Sequence, residues 1–166
     1  GHSDSTWGSP VRAYDGNTDA FVAKLDSDGV LIWHTFLGSA VGHSYANDIT
    51  VDSSGNIYVT GYSLSSWGTS PVNGYSGDTD IFIAKLANDG TLTWHTFLGS
   101  SASDYGKGIG IDASGNIYIT GISRNTWGSP EDTHSSPGTA YDAVIAKVNN
   151  SGTLQATTRA TVAGQH

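Results

Sequence analysis

"DAFVAKLDSDGVLIWHTFLGS" (residues 19–39) returns as "DIFIAKLANDGTLTWHTFLGS" (residues 80–100), with 15 of 21 positions identical at a spacing of 61. A third, partial copy, "DAVIAKVNNSGTL", starts at Asp142. A second block, "NDITVDSSGNIYVTGYS" (residues 47–63), recurs as "KGIGIDASGNIYITGIS" (residues 107–123). Recurrence at a fixed period is typical of repeat folds. The 166-residue chain therefore holds roughly 2.7 copies of a unit of about 60 residues.

Each unit contains four strand signals. The first is "DITV" or "GIGI", the second "IYVTG" or "IYITG", the third "FVAKL" or "FIAKL", and the fourth "WHTFLG". Gly-containing turns, "SGN" and "SDG" or "NDG", join them and suit tight hairpins. Apolar residues on both faces of the third strand, such as Phe21 and Val22, indicate a sheet packed between two neighbours. These features predict an all-β fold of β-propeller blades, each with four antiparallel strands; a parallel β-solenoid is the alternative.

The two blocks resemble the bacterial SBBP-type β-propeller repeat and, more loosely, the NHL propeller repeat. The resemblance implies a propeller in which the "DITV" strand is innermost and the "WHTFLG" strand outermost. Two features depart from it. A long loop that contains Trp-Gly separates the second and third strands, and the C-terminal "LQATTRATVAGQH" (residues 154–166) lacks the Trp-His-Thr-Phe core.

The frame of the repeat divides the chain into parts of a single propeller segment, residues 1–166. "GHS" at residues 1–3 aligns with residues 61–63 and 121–123. Residues 1–39 then supply strands three and four of a first blade, residues 40–100 a complete blade, and residues 101–166 a third blade with a degenerate last strand. An open partial propeller exposes apolar faces. We therefore expect self-association, as a homo-oligomer or a filament, or packing against the remainder of a longer propeller chain. The tail "ATVAG" (residues 160–164) echoes "IYVTG" and is a candidate for a strand supplied in cis or in trans.

Composition limits the partners and the chemistry. The net charge is −8 and the seven basic residues are scattered, which argues against nucleic acid and anionic membranes. No apolar run is long enough to enter a membrane as a helix, and without cysteine no thiolate site forms. We find no motif for a nucleophile or a phosphate-binding loop, so we expect no enzymatic activity and no cofactor. Few charges with abundant Ser, Thr, Gly and Asn favour an extracellular or cell-surface location.

Metal binding is not expected either. Asp26 and Asp28 resemble the start of a calcium loop, but the number of carboxylates falls to one and then to none in the equivalent turns of the other copies. His34 and His95 recur in the fourth strand, where we expect half-exposed side chains rather than metal ligands. The recurring Lys24 of the third strand is expected to reach solvent or to pair with an Asp of a hairpin rather than act as a base.

Three tryptophans, Trp7, Trp67 and Trp127, lie in the Gly/Ser/Pro-rich long loops. Either each one anchors its own loop, or together they form a surface that binds sugars, because aromatic faces stack on sugar C–H groups while nearby carboxylates accept hydroxyls. In a propeller these loops share one end with the connections between blades. The other candidate ligand-binding residues at that end are Tyr45, Tyr75, Tyr105, Asp48 and Asp104. The sequence favours a structural and interaction module, with carbohydrate binding as the alternative.

Overall fold

The computed structural model describes residues 1–128 and 140–160, and these residues form three antiparallel sheets. Sheet one contains β1 (His2–Ser3), β2 (Asp19–Leu25) and β3 (Leu31–Leu37). Sheet two contains β4 (Ser44–Val51), β5 (Ile57–Ser63), β6 (Asp80–Leu86) and β7 (Leu92–Leu98). Sheet three contains β8 (Asp104–Ile111), β9 (Ile117–Ser123), β10 (Asp142–Val148) and β11 (Leu154–Ala160). Within each sheet the strands follow chain order, so the predicted all-β class and four-stranded unit are confirmed.

Short Asp-containing turns explain why the same hairpin forms in different copies. In sheet two, Asp52 Oδ1 accepts hydrogen bonds from the backbone nitrogens of Ser54 and Asn56, each at 2.9 Å. Gly55 of this turn has φ 82°, a backbone conformation that glycine adopts without the steric cost of a side chain. Asp112 makes the same bonds in sheet three. The repeated "SGN" signal thus encodes the β4–β5 and β8–β9 turns.

The first and last described strands keep the register of the repeat. In β1, His2 pairs with Ala20 as Tyr62 pairs with Ile81 in sheet two. At the other end β11 pairs with β10, and Arg159 lies opposite Val144. The fourth strand therefore forms without the Trp-His-Thr-Phe core. The strand predicted at residues 160–164 lies almost wholly outside the described residues.

The sheets pack face to face in chain order. We call the face of a sheet that packs on the next sheet its forward face, and the opposite one its rear face. The first core joins the forward face of sheet one (Ala20, Val22, Trp33, Leu37) to the rear face of sheet two (Ile57, Val59, Phe82, Ala84, Leu86, Phe97). The second joins the forward face of sheet two (Tyr58, Ile81, Ile83, Leu98) to the rear face of sheet three (Ile117, Ile119, Val144, Ala146, Val148). Side chains alternate between the two faces of a sheet. In the described structure, sheet two is the only sheet that has a neighbouring sheet on both faces.

The first strands of neighbouring sheets lie side by side. β8 contacts β4, β5 and β6 of sheet two. Asn47 Nδ2 donates to the carbonyl oxygen of Gly106 at 2.7 Å, and the backbone nitrogen of Ile109 donates to Asp48 Oδ2 at 2.9 Å. This is the arrangement of blades around a common axis, with the first strand innermost.

Candidate functional site

Trp67, the tryptophan of the second long loop, is packed against the outer strand of its own sheet. Only 2% of its surface is exposed. Its indole stacks on the His95 imidazole with centroids 4.4 Å apart, and His95 Nε2 lies 2.7 Å from the Trp67 carbonyl oxygen. The Arg12 guanidinium, from the long loop of sheet one, lies 5.9 Å from the indole centroid. The ring is therefore covered by the protein itself and presents no face to a sugar.

Trp7 repeats this arrangement in sheet one with more exposure. It stacks on His34 at a centroid distance of 3.7 Å, and His34 Nε2 lies 2.7 Å from the Trp7 carbonyl oxygen. The ring also meets Phe21 edge-on at 5.6 Å. It is half-buried because the rear face of sheet one has no neighbouring sheet in the described structure.

Trp127 is held by different partners in sheet three. Its Nε1 donates to Asp104 Oδ1 and to Ser123 Oγ, both at 3.0 Å, and 7% of its surface is exposed. Thr157 and Arg159 stand where the other copies have histidine and phenylalanine, and the Arg159 guanidinium lies 5.6 Å from the indole centroid. The burial of two of the three rings supports the anchoring alternative.

The expectation of half-exposed histidines in the fourth strand is wrong. His34 is 1% and His95 2% exposed, because a tryptophan ring covers each imidazole. Burial lowers the pKa of His95 below its ordinary value. Both histidines belong to the loop anchors.

The two predicted ligand carboxylates bind the protein instead of facing an open site. Asp104 is fully buried, and its Oδ2 accepts hydrogen bonds from the backbone nitrogen of Ser100 at 2.6 Å and from the Ser100 hydroxyl at 3.0 Å. Burial raises the pKa of Asp104. Asp48 is half-buried and uses one oxygen for the inter-sheet bond to the Ile109 nitrogen. Both residues connect strands and loops.

Asp80 is a buried carboxylate that the sequence interpretation did not single out. Its Oδ2 accepts a hydrogen bond from the backbone nitrogen of Ser76 at 2.6 Å, while its buried Oδ1 has no partner in the described structure. A Cβ added at Gly99 would lie 2.6 Å from Asp80 Oδ1 and 2.8 Å from Asp104 Oδ2, so the two carboxyl groups share one small space. Burial, with a contribution from Asp104, raises the pKa of Asp80 to about 7. The available signal was the aspartate that begins the third strand in each copy.

Tyr75 is a loop-packing residue as well. Its hydroxyl donates to the carbonyl oxygen of Asp78 at 2.7 Å, and its ring meets Phe97 edge-on at 5.6 Å. Burial, followed by the charges of Asp80 and Asp78, raises the pKa of Tyr75 to about 12. Tyr75 closes its own loop.

The remaining predicted residues, Tyr45 and Tyr105, belong to an aromatic row across sheets two and three. We call Tyr45, Tyr62, Tyr105 and Tyr141 the tyrosine row. Successive ring centroids lie 5.0, 4.8 and 5.9 Å apart, and Tyr45 also meets the His2 ring of sheet one at 4.9 Å. Tyr62 was missed although it pairs with Tyr45 across the β4–β5 hairpin, and its contact with Tyr105 forms only once sheets two and three are packed.

Two cations lie over the tyrosine row. Lys107 Nζ is 5.5 Å from the centroid of Tyr105 and 5.9 Å from that of Tyr62. The Arg124 guanidinium is 4.6 Å from the centroid of Tyr141. Burial raises the pKa of Tyr62, with the neighbouring tyrosines adding to the effect. The row thus combines partly exposed aromatic rings with positive charge in a protein of net charge −8.

Neither a metal centre nor a membrane-spanning helix is found in the part of the chain that the structure describes. Across those residues, no group of three or more His, Asp or Glu is placed to hold a metal ion. In the same residues no helix is long and apolar enough to cross a bilayer.

The fold and its inter-sheet packing define the class as β-propeller blades. The SBBP family, a beta-propeller repeat, matches residues 32–66 and 93–128. Each match begins in the last strand of one sheet and continues through the first two strands of the next. The resemblance inferred from the sequence is confirmed over these two segments. No curated protein matches the chain.

Proposed function

We propose that this chain is a non-enzymatic structural and interaction module of the cell surface or extracellular space, and that its blades associate with further copies of the same chain. The observation that carries the proposal is a pair of open faces of the kind that pack inside the molecule. These are the forward face of sheet three and the rear face of sheet one.

The forward face of sheet three repeats residues that are covered in sheet two. Tyr118 and Ile145 occupy the register of Tyr58 and Ile83. Tyr118 is 37% and Ile145 47% exposed, whereas both equivalents in sheet two are fully buried. Exposed apolar surface of this kind is typical of an interaction site.

The rear face of sheet one shows the same contrast. Leu25 is 54% exposed, whereas Leu86 at the equivalent position is fully buried. Since forward faces pack on rear faces at both internal contacts, the two open faces are complementary in kind. A contact of unlike faces closes into a ring or extends into a filament.

Composition and hydrogen bonding support the other parts of the proposal. A charged content of 13% with abundant Ser, Thr, Gly and Asn supports an extracellular or surface location. A net charge of −8 argues against nucleic acid as a partner. The buried Asp104 carboxylate bonds to the protein's own loop, which supports a structural rather than a catalytic role.

Sedimentation velocity across a concentration series tests the proposal. We expect species with masses that are multiples of 17.3 kDa and that grow with concentration. Negative-stain electron microscopy then separates rings from filaments. A 17.3 kDa monomer at every concentration would overturn the proposal.

We propose carbohydrate binding at the tyrosine row as a second candidate function. The supporting observation is the run of partly exposed rings with Lys107 and Arg124 over them. Aromatic rings stack on sugar C–H surfaces, and the cations suit sugars with acidic substituents. The site that we propose for sugars is therefore Tyr45, Tyr62 and Tyr105 rather than the tryptophans.

A glycan array that includes acidic polysaccharides tests this candidate. We expect Tyr105→Ala to abolish binding and Tyr105→Phe to retain most of it, because phenylalanine keeps the stacking ring. Trp67→Phe serves as a control at the buried anchor and should bind as the parent does. Absence of binding to every glycan would remove the candidate.

A further inference from the structure

The two internal contacts between sheets use one recurrent set of residues. On the forward face of sheet one, Trp33 Nε1 donates to the carbonyl oxygen of Asn88 at 3.0 Å, and Lys24 Nζ donates to Asn88 Oδ1. Asn88 lies in the β6–β7 turn of sheet two. Gly90 of that turn packs beneath the indole, since an added Cβ would lie 2.7 Å from Trp33 Cε3. We call this set, a tryptophan and a lysine that bind the next sheet's turn, the inter-sheet joint.

The contact between sheets two and three has the same joint. Trp94 Nε1 donates to the carbonyl oxygen of Asn150 at 3.1 Å, and Lys85 Nζ donates to Asn150 Oδ1 at 2.7 Å. Tyr58 adds a hydroxyl bond to Asn150 Oδ1 at 3.0 Å. A Cβ at Gly152 would lie 2.9 Å from Trp94 Cε3. The geometry of one joint is therefore repeated 61 to 62 residues later along the chain.

The forward face of sheet three carries the lysine of a third joint. In the described structure no turn of a neighbouring sheet packs against this lysine. Lys147 lies opposite Ala156, as Lys85 lies opposite Trp94. Lys147 and Tyr118 thus stand in the positions of Lys85 and Tyr58. Ala156 replaces the tryptophan and leaves more room.

The matching turn is at the other end of the molecule. Residues 26–29 join β2 to β3 as residues 87–90 join β6 to β7, and both turns have the same backbone bond between their first and fourth residues. Gly29 has φ 80°, and nothing lies within 4 Å of an added Cβ there. Asp26 and Asp28 give this turn two carboxylates. Their charge is opposite to that of Lys147.

We propose that the forward face of sheet three receives the 26–29 turn of a second copy of this chain, with Lys147 and Tyr118 against that turn. The inference rests on the proposed self-association and names its contact. In this contact, residues 26 and 28 supply negative charge to Lys147 in place of the asparagine side chain of the internal joints. The contact also covers the Leu25 side chain, as Leu86 is covered inside the molecule. Because the indole is absent, this contact is weaker than the two internal joints.

Charge reversal tests the contact in solution. We expect Lys147→Glu alone and Asp28→Lys alone each to raise the dissociation constant of self-association about tenfold, and added salt to weaken the parent's association. An equimolar mixture of the two variants should associate like the parent, because the glutamate introduced at position 147 of one variant meets the lysine introduced at position 28 of the other, and the parental pair forms at the alternate contact. Ala156→Trp should lower the dissociation constant about tenfold by supplying the missing indole.

Both charge variants change exposed or half-buried side chains, and circular dichroism with thermal unfolding verifies that each one is folded. Unchanged association of the folded Lys147→Glu variant would overturn the docking contact while leaving the proposed self-association intact. Failure of the mixed variants to recover, or of Ala156→Trp to tighten association, would also overturn the contact. A parent chain that is monomeric throughout would overturn both.

Discussion

At the scale of single residues, equivalent tryptophans differ in the number of hydrogen-bond acceptors that their indole nitrogens have. Trp127 Nε1 has two acceptors, whereas the buried Trp67 Nε1 has none in the described structure. Ser44 of sheet two stands where sheet three has Asp104, since each pairs with the last serine of its second strand. Ring packing is the feature that both loops share, so it is the main stabilising contribution of the anchor.

Trp67→Ala should therefore destabilise the fold strongly. We expect a loss of about 3–5 kcal/mol in the free energy of unfolding, the usual cost of removing a buried tryptophan. Trp7→Ala is the matched control and should cost less because Trp7 is half-buried. Urea denaturation followed by circular dichroism measures both. A loss below about 1 kcal/mol for Trp67→Ala would contradict the anchoring role.

Asp80 makes stability depend on pH in a defined direction. Its folded-state pKa is raised to about 7 from an ordinary value of 3.8. The folded protein binds more protons than the unfolded chain between these values, so the contribution of Asp80 to stability falls as the pH rises from about 4 to 7. Asp80→Asn should remove the contribution of Asp80 to the pH dependence of stability. The variant should therefore exceed the parent in stability by the largest margin at neutral pH.

Thermal unfolding of the parent and Asp80→Asn at several pH values between 4 and 8 measures the effect. Asp28→Asn, at an exposed turn carboxylate, is the control under conditions where the chain is monomeric and should leave the parent's profile in place. Equal pH profiles for the parent and Asp80→Asn would contradict the assignment.

At the scale of the element, the hairpin turns serve both the sheet and its neighbour. Gly90 and Gly29 occupy equivalent turns with φ of 85° and 80°. Of these two glycines, only Gly90 has an indole packed upon it. Comparing substitutions at these two glycines therefore separates the cost of a side chain at positive φ from the cost of a side chain that collides with the indole.

Gly90→Ala should destabilise the protein more than Gly29→Ala. Both substitutions pay the left-handed backbone cost of about 1–2 kcal/mol. Gly90→Ala also places a methyl group 2.7 Å from Trp33 Cε3, which forces the joint apart at a typical cost of about 1–3 kcal/mol. Chemical denaturation of the monomer measures the difference. Equal losses for the two variants would show that the Trp33 joint contributes little.

Strands and turns were predictable from the sequence because their causes are local. The apolar run of β6 and the Asp52 turn depend on neighbouring residues, and both could be inferred from the printed repeat. The bond from Lys24 to Asn88 joins positions 64 residues apart, and the Tyr62–Tyr105 contact joins two sheets. Such contacts exist only once the sheets are stacked. His34 was misjudged for a different reason: the Trp7 loop folds back over the outer strand of its own sheet, and this loop conformation could not be read from the local sequence.

At the scale of the whole molecule, sheet two occupies a different position from its neighbours. It is covered on both faces, while sheets one and three are each covered on one face in the described structure. In a stack of repeats, stability is approximately a sum of the units and their nearest-neighbour contacts. The middle sheet therefore has the largest share of contacts.

Hydrogen exchange should reveal this gradient. Under conditions where the chain is monomeric, we expect the amides of β5 and β6 to exchange more slowly than those of β2 and β10. At concentrations where copies associate, protection of β2 and β10 should rise while that of β5 and β6 stays constant. Uniform protection of all three sheets in the monomer would contradict the nearest-neighbour description.

Because the same joint recurs between sheets, whole repeats can be gained or lost from the chain. Trp33 and Trp94 each bind a backbone carbonyl beside a glycine, so neither joint distinguishes one following sheet from another. The order of the sheets is set by the short connections at residues 38–43 and 99–103. A duplication or deletion of one 60-residue unit would leave every remaining joint with its partner. The number of blades therefore follows from the number of repeats in the sequence, because the joints do not distinguish one blade from another.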